Sequence, residues 1–156
     1  WFYISKNPNI TWDIIINNPN VSWNWEGISL NENISWDIIK NNLDKPWSWD
    51  RLSLNKNITM KIIFDNPDKD WNWSWISNNI NLTWDIIENN LKKEWDWFEL
   101  SKHPNITWDI IANNKDKPWK KLLVSLNPNI TIEIIKENPN FEWNWDYLCS
   151  NTLRKE

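Results

Sequence analysis

The chain has 156 residues, 40 % of them apolar, with seventeen Trp, one Gly, one Cys and a formal charge of −4. That length fits one globular domain or one short repeat array, and that apolar content can bury a sizeable core. The single Cys149 excludes an internal disulfide framework and a cysteine-based metal cluster, no run of about eighteen apolar residues offers a membrane-spanning helix, and the mild acidity gives no global electrostatic reason to expect nucleic acid.

Residues 1–4, "WFYI", carry neither an initiator Met nor a signal-peptide pattern. They fit the end of a repeat copy whose beginning is missing, so the chain is expected to be processed or cut from something longer. From Ser5 onward the sequence repeats every twenty-four residues: Ser5, Ser29, Ser53, Ser77, Ser101 and Ser125, with Cys149 next in phase. Six copies fill 5–148 without an insertion. Counting that Ser as repeat position 1, Asn holds position 5, Ile positions 10 and 11, Asn position 14 and Trp position 19 in every copy. Strict spacing of this kind belongs to supersecondary units that cannot bury an apolar face alone and must stack.

The first predicted element starts at Thr11. Its hydroxyl suits a helix N-cap, Asp13 lies in the first turn where the helix dipole favours negative charge, and Ile10 and Ile15 have hydrophobic-staple spacing. Asn18, followed by Pro19, is expected to close the helix in a left-handed conformation. The second element is less decided. In "DKPWSWDRLS", Pro46 suits the first turn of a helix, as Pro118 does later, whereas W-x-W has the period of a strand. A second helix is the expectation. The reading is an all-α, short-helix α-solenoid of six 24-residue helix-turn-helix repeats, with a leucine-rich-repeat-like α/β solenoid as the alternative. Helices this short do not persist alone in water, so packing between copies must hold them. Trp23, Trp47, Trp71, Trp95, Trp119 and Trp143 are expected to form a structural ladder along the core.

Further along the chain, Met60 and Lys61 replace Trp and Asp in the third copy, and "WKKLLV" replaces W-x-W-x-x-L in the fifth. Residues 149–156, "CSNTLRKE", read as a polar tail or cap that leaves the repeat. The phrases "NPNITWDII", "NNLDKPWSWD" and "RLSLN" resemble the Trp- and Asn-rich tandem repeats of uncharacterised proteins from giant DNA viruses of mimivirus-like and algal-virus lineages. That resemblance covers practically the whole chain, implies a viral repeat protein, and supplies no catalytic residues.

Few residues offer chemistry. His103 stands alone where the other copies carry Asn and lacks companion ligands for a metal. Gly27 by itself makes no phosphate loop. Asp13, Asp37, Asp85, Asp109 and Glu133 always follow a cap by two residues, which explains them structurally. No catalytic, cofactor-binding or metal-binding residue is therefore expected, and no enzyme. Every copy carries a sequon, making Asn9, Asn33, Asn57, Asn81, Asn105 and Asn129 candidate glycosylation sites; the plainer reading is a turn Asn before a capping Thr or Ser. Lys115, Lys117, Lys120 and Lys121 form one basic stretch. Position 12 varies from copy to copy (Ile16, Lys40, Phe64, Glu88, Ala112, Lys136), as a contact stripe would.

The functional expectation is a structural or scaffolding protein acting through contacts with a protein partner or with itself. Trp1, Phe2, Tyr3 and Ile4 form a candidate assembly end for head-to-tail filaments. The alternative is a binding module using exposed Trp for glycans or single-stranded nucleic acid. Localisation follows from these branches: virion or infected-cell cytoplasm if viral, extracellular if the sequons are used.

Overall fold

The structure, a computed structural model, describes residues 1–151. It divides into two compact halves, Trp1–Asn81 and Leu82–Glu156. The first contains α1 (Phe2–Lys6), α2 (Trp12–Asn17), α3 (Trp25–Ser29), α4 (Trp36–Lys40), α5 (Trp49–Leu52), α6 (Met60–Asp65) and α7 (Trp73–Ile76). The second contains α8 (Trp84–Glu88), α9 (Trp97–Ser101), α10 (Trp108–Asn113), α11 (Lys121–Val124), α12 (Ile132–Glu137) and α13 (Trp145–Ser150). Among the described residues every regular element is helical, which removes the strand alternative for the second half of each repeat.

The first helix of each repeat starts as its sequence dictates. Thr11, Ser35, Thr59, Thr107 and Thr131 accept a hydrogen bond from the backbone N–H three residues on, at 3.3–3.4 Å; Thr83 makes no such bond. The stop differs from the expectation. Among the described residues no non-glycine residue has positive φ, and Asn18, for example, sits at φ −125° and ψ 61°. The Asn closes the helix with its side chain instead. In all six copies its Nδ2 donates to the carbonyl four residues back, as Asn42 does to Ile38 at 2.8 Å. An orphan carbonyl is thereby satisfied without the cost of a left-handed backbone.

The second helix begins later than expected. Pro46 and Pro118 precede it and lie outside its first turn. Each is the central residue of a γ-turn closed by the following Trp N–H: Trp47 to Lys45 O and Trp119 to Lys117 O, both 2.8 Å. With φ negative, these are inverse γ-turns, whose φ near −75° the pyrrolidine ring already holds. W-x-W is thus split: its first Trp follows the turn and its second opens the helix. The residue between them is the cap. Asn24, Ser48, Asn72, Asp96 and Asn144 all accept a helical N–H.

Core packing comes from three aliphatic positions and one Trp. Position 24 (Ile28, Leu52, Ile76, Leu100, Val124, Leu148), position 11 (Ile15, Ile39, Ile63, Ile87, Ile111, Ile135) and, from the second copy on, position 6 (Ile34, Ile58, Leu82, Ile106, Ile130) are buried. Each such side chain contributes about 1.5–3 kcal/mol. Second helices of successive repeats pack together, α1 on α3, α3 on α5, and α9 on α11. Gly27 sits where a Cβ would meet the Phe2 carbonyl oxygen at 2.5 Å, so the α1–α3 approach needs a residue without one.

Polar groups within this core are paired. The position-1 Ser is buried in every copy, and its hydroxyl accepts the backbone N–H of the residue nineteen ahead: Asn24 to Ser5, Ser48 to Ser29, Asn72 to Ser53, Lys120 to Ser101 and Asn144 to Ser125, at 2.8–3.0 Å. The position-3 Asn donates backwards to carbonyls of the preceding repeat. Asn31 Nδ2 reaches Ser5 O, Asn7 O and Ile10 O, each at 3.0 Å. Asn127 reaches Ser101 O, His103 O and Ile106 O at 2.9–3.2 Å. Among the described residues no buried side-chain nitrogen or oxygen lacks a partner.

The same bonds continue into the expected polar tail. Cys149 and Ser150 complete α13, and Asn151, next in phase, donates to Ser125 O and Asn127 O at 3.0 and 2.9 Å. Residues 152–156 of that tail lie outside the described residues.

Candidate functional site

The six ladder Trp residues are placed by a common contact. Each indole N–H donates to the backbone carbonyl of the helix-closing Asn five residues earlier, at 2.8–3.1 Å. Trp47, Trp95 and Trp143 are buried, while Trp23, Trp71 and Trp119 are half-buried. Rings from neighbouring repeats surround them. The second-helix Trp of the preceding copy meets the ladder edge-on: Trp1 on Trp23, Trp25 on Trp47, Trp49 on Trp71 and Trp97 on Trp119, with centroids 5.0–6.5 Å apart. The first-helix Trp of the preceding copy approaches it more nearly face to face: Trp12 on Trp47, Trp84 on Trp119 and Trp108 on Trp143, at 5.3–5.8 Å. Both geometries are the favoured ones for aromatic quadrupoles.

Five of the six sequon residues are tied into backbone contacts through the atom a glycan would occupy. Nδ2 of Asn33, Asn57, Asn81, Asn105 and Asn129 donates to a carbonyl of the preceding repeat, as Asn57 does to Glu32 O at 2.8 Å and Ile34 O at 3.0 Å. Asn9 makes no such bond and is exposed. Their backbone N–H groups are held too, each by the Oδ1 of the Asn two residues before; this is an Asx turn. His103 substitutes for that Asn. It is 1 % exposed, and its Nδ1 accepts the Asn105 N–H at 3.1 Å. Among the described residues no cluster of His, Cys, Asp and Glu could hold a metal ion. No described helix is long and apolar enough to cross a membrane.

Concave surface recurs at one place in the repeat. In the amino-terminal half a groove of about 570 Å³ lies between Trp12, Ile16, Trp23 and Trp25 of one copy and Lys45 of the next. In the carboxy-terminal half a groove of about 580 Å³ lies between the equivalent residues Trp108, Ala112, Trp119 and Lys121 and the next copy's Phe141. Both fall in the size range of small-ligand sites. Their charge differs. Lys45 is the cation of the first, whereas Lys115, Lys117 and Lys121 line the second together with Glu137. Lys117 Nζ donates to Asp116 Oδ2 at 2.6 Å, and that hydrogen bond holds the Asp116 carboxyl below its usual range. Lys121 pairs with Glu142 at 2.9 Å, while Lys115 makes no ion pair among the described residues. Sequence reading singled out these lysines but not the groove, because its walls come from two repeats.

The candidate assembly end is open. Trp1 is 63 % and Tyr3 84 % exposed, and Ile4 is exposed as well, while Phe2 is half-buried. Together these features define an all-helical, Trp-rich tandem-repeat protein. No protein-family model, curated protein or solved structure matches the chain.

Proposed function

We propose that this chain is a non-enzymatic scaffold: an α-solenoid whose stacked repeats present contact surfaces to a protein partner or to further copies of itself. The observation that carries this reading is the transfer of one polar pattern from copy to copy. Position-3 and position-5 Asn residues spend their amides on the preceding repeat. Position-1 Ser hydroxyls hold a backbone N–H, as Ser53 and Ser101 do, and those of Ser53, Ser77 and Ser101 donate to a carbonyl four residues back. The recurring Asn amides and Ser hydroxyls are thus committed to stacking. Apolar side chains remain outside at positions that vary between copies: Ile16, Leu43, Leu91, Phe98 and Leu122.

Removing residues 29–52 tests the stacking. The deletion joins Ile28 to Ser53 in phase, and a solenoid should lose one layer while keeping its cooperative unfolding. Small-angle scattering is expected to show a maximum dimension shorter by about 8–10 Å, one helix-packing distance. A deletion chain that no longer folds, or folds to unchanged dimensions, would overturn the solenoid. Self-association has its own readout. Light scattering over a concentration series should show oligomers that weaken when Trp1 and Phe2 are replaced by Ser, and a strict monomer would remove that branch.

The grooves favour a second reading, a ligand-binding repeat module, because they are aromatic, open and equivalent in both halves.

A further inference from the structure

We propose that the groove between α10 and the loop after α12 binds a nucleotide: a planar heteroaromatic ring carrying a phosphate. This deepens the second reading above and rests on it.

Two residues of the fifth copy shape this groove, one at the variable position 12 and one that departs from the repeat at position 21. Position 12 is Ala112, where other copies carry Ile16, Lys40, Phe64, Glu88 or Lys136. Ala112 lines the groove from α10. Position 21 is Lys121, where every other copy carries Trp. Elsewhere that Trp lies edge-on against the next ladder ring, as Trp97 does on Trp119 at 5.0 Å. Without it, Phe141 takes over against Trp143, at 4.5 Å, and also meets Trp108 edge-on at 5.1 Å. The substitution therefore replaces an aromatic ring by an ammonium group while the neighbouring rings stay packed.

The walls are fixed before any ligand arrives. Trp119 is held by Trp84, by Trp97 and by its indole hydrogen bond to Asn114 O. Trp108 is held by Phe141 and Trp143. Rigid aromatic walls accept any flat ring, since every nucleobase has a π-face. Cations at the rim select for an anionic substituent. Lys115 is exposed and makes no ion pair among the described residues, while Lys121 has an exposed pair with Glu142 that a phosphate can outcompete, such pairs being weak. Three lysines against one acidic lining group, Glu137, leave the groove net positive. The lysines offer partners to the phosphate, and the Trp rings offer a stacking surface to the base. The equivalent groove of the first half has nearly the same volume but carries Trp25 in place of Lys121 and a single lysine, Lys45, so the same ligand should bind there more weakly.

The experiment is a titration of the full chain followed through indole N–H resonances in a nitrogen-correlated NMR spectrum. The probes are adenosine monophosphate, adenosine, inorganic phosphate and a short oligothymidylate. Saturable shifts of the Trp108 and Trp119 signals by the monophosphate are expected, with adenosine and phosphate each binding at least about tenfold more weakly, the loss of roughly one charge-assisted contact or one stacking contact. Ala112→Phe should abolish the shifts by filling the groove. Lys115→Ala, an exposed change expected to leave the fold intact, should weaken the monophosphate and leave adenosine unchanged. Tighter binding of the oligomer than of the monomer assigns the ligand to a single strand; equal binding assigns it to a free nucleotide. Absence of saturable shifts, equal affinity for adenosine and its monophosphate, or shifts that survive Ala112→Phe would overturn the proposal. The repeat-deletion measurement stands apart from these results, so failure of the scaffold and failure of the groove are separable.

Discussion

The carboxamide of Asn55 lies 2.8 Å from the carbonyl oxygen of Ser29, twenty-six residues earlier. Both residues are buried, and the same amide also donates to Asn31 O at 3.2 Å. This contact explains why Asn recurs where a core would otherwise exclude it. Short helices leave carbonyls unpaired at their ends, burial removes water as a partner, and a carboxamide from the next repeat takes its place.

Asn55→Ala should therefore destabilise the chain well beyond the effect of losing a surface Asn. The buried Ser29 carbonyl loses its side-chain donor, at about 1–3 kcal/mol for a group left unsatisfied, while Asn31 O keeps the Ile34 N–H. Urea denaturation measures the loss, with Asn78→Ala at an exposed site as the comparison. Asn55→Asp adds a pH signature. A carboxylate facing carbonyl oxygens is disfavoured, so its folded-state pKa rises; the variant should be most stable at low pH and lose stability as pH increases. A variant whose stability is flat with pH would contradict the geometry.

Capping separates two Thr residues that look equivalent in sequence. Thr107 accepts the Ile110 N–H, whereas Thr83 makes no cap bond. Thr107→Ala is expected to cost about 1 kcal/mol and Thr83→Ala clearly less. Equal losses in denaturant midpoints would show that the hydroxyl is not what starts these helices.

Among the aromatic residues, depth decides the outcome. Trp95 is buried, and its indole N–H bonds to Asn90 O at 2.9 Å. Trp95→Ala should cost about 3–5 kcal/mol. Trp145 is 65 % exposed, and Trp145→Ala should stay within about 0.5 kcal/mol. Thermal melts of both variants check the contrast, and similar melting temperatures would count against a Trp ladder in the core.

His103 acts as a stand-in for Asn. Its Nδ1 accepts the same backbone N–H that Asn Oδ1 accepts in other copies. His103→Asn should be close to neutral. His103→Leu leaves the Asn105 N–H without that acceptor and should cost about 1–3 kcal/mol. If the Leu variant is as stable as the Asn variant, the turn does not need an acceptor there.

The sequence by itself determined the local grammar of this protein: the period, the first helix with its capping Thr or Ser, and the aliphatic faces. Those features act within a few residues, so spacing and side-chain chemistry suffice to read them. It left the second half of each repeat undecided, because W-x-W spans an extended residue and a helix start, and Pro46 sits in a γ-turn rather than in the helix it was expected to begin. It also read Asn18 and its equivalents as left-handed closures, when the side chain closes the helix and the backbone never turns left-handed. Only the tertiary structure decided what the other recurring residues are for. The Ser at position 1 and the Asn residues at positions 3 and 5 meet partners about nineteen to twenty-six residues away, and the groove beside Ala112 is walled by two copies. A repeating letter shows that a position is constrained. The constraint itself lies across the stack, where burial leaves a backbone group no partner but the next copy's side chain.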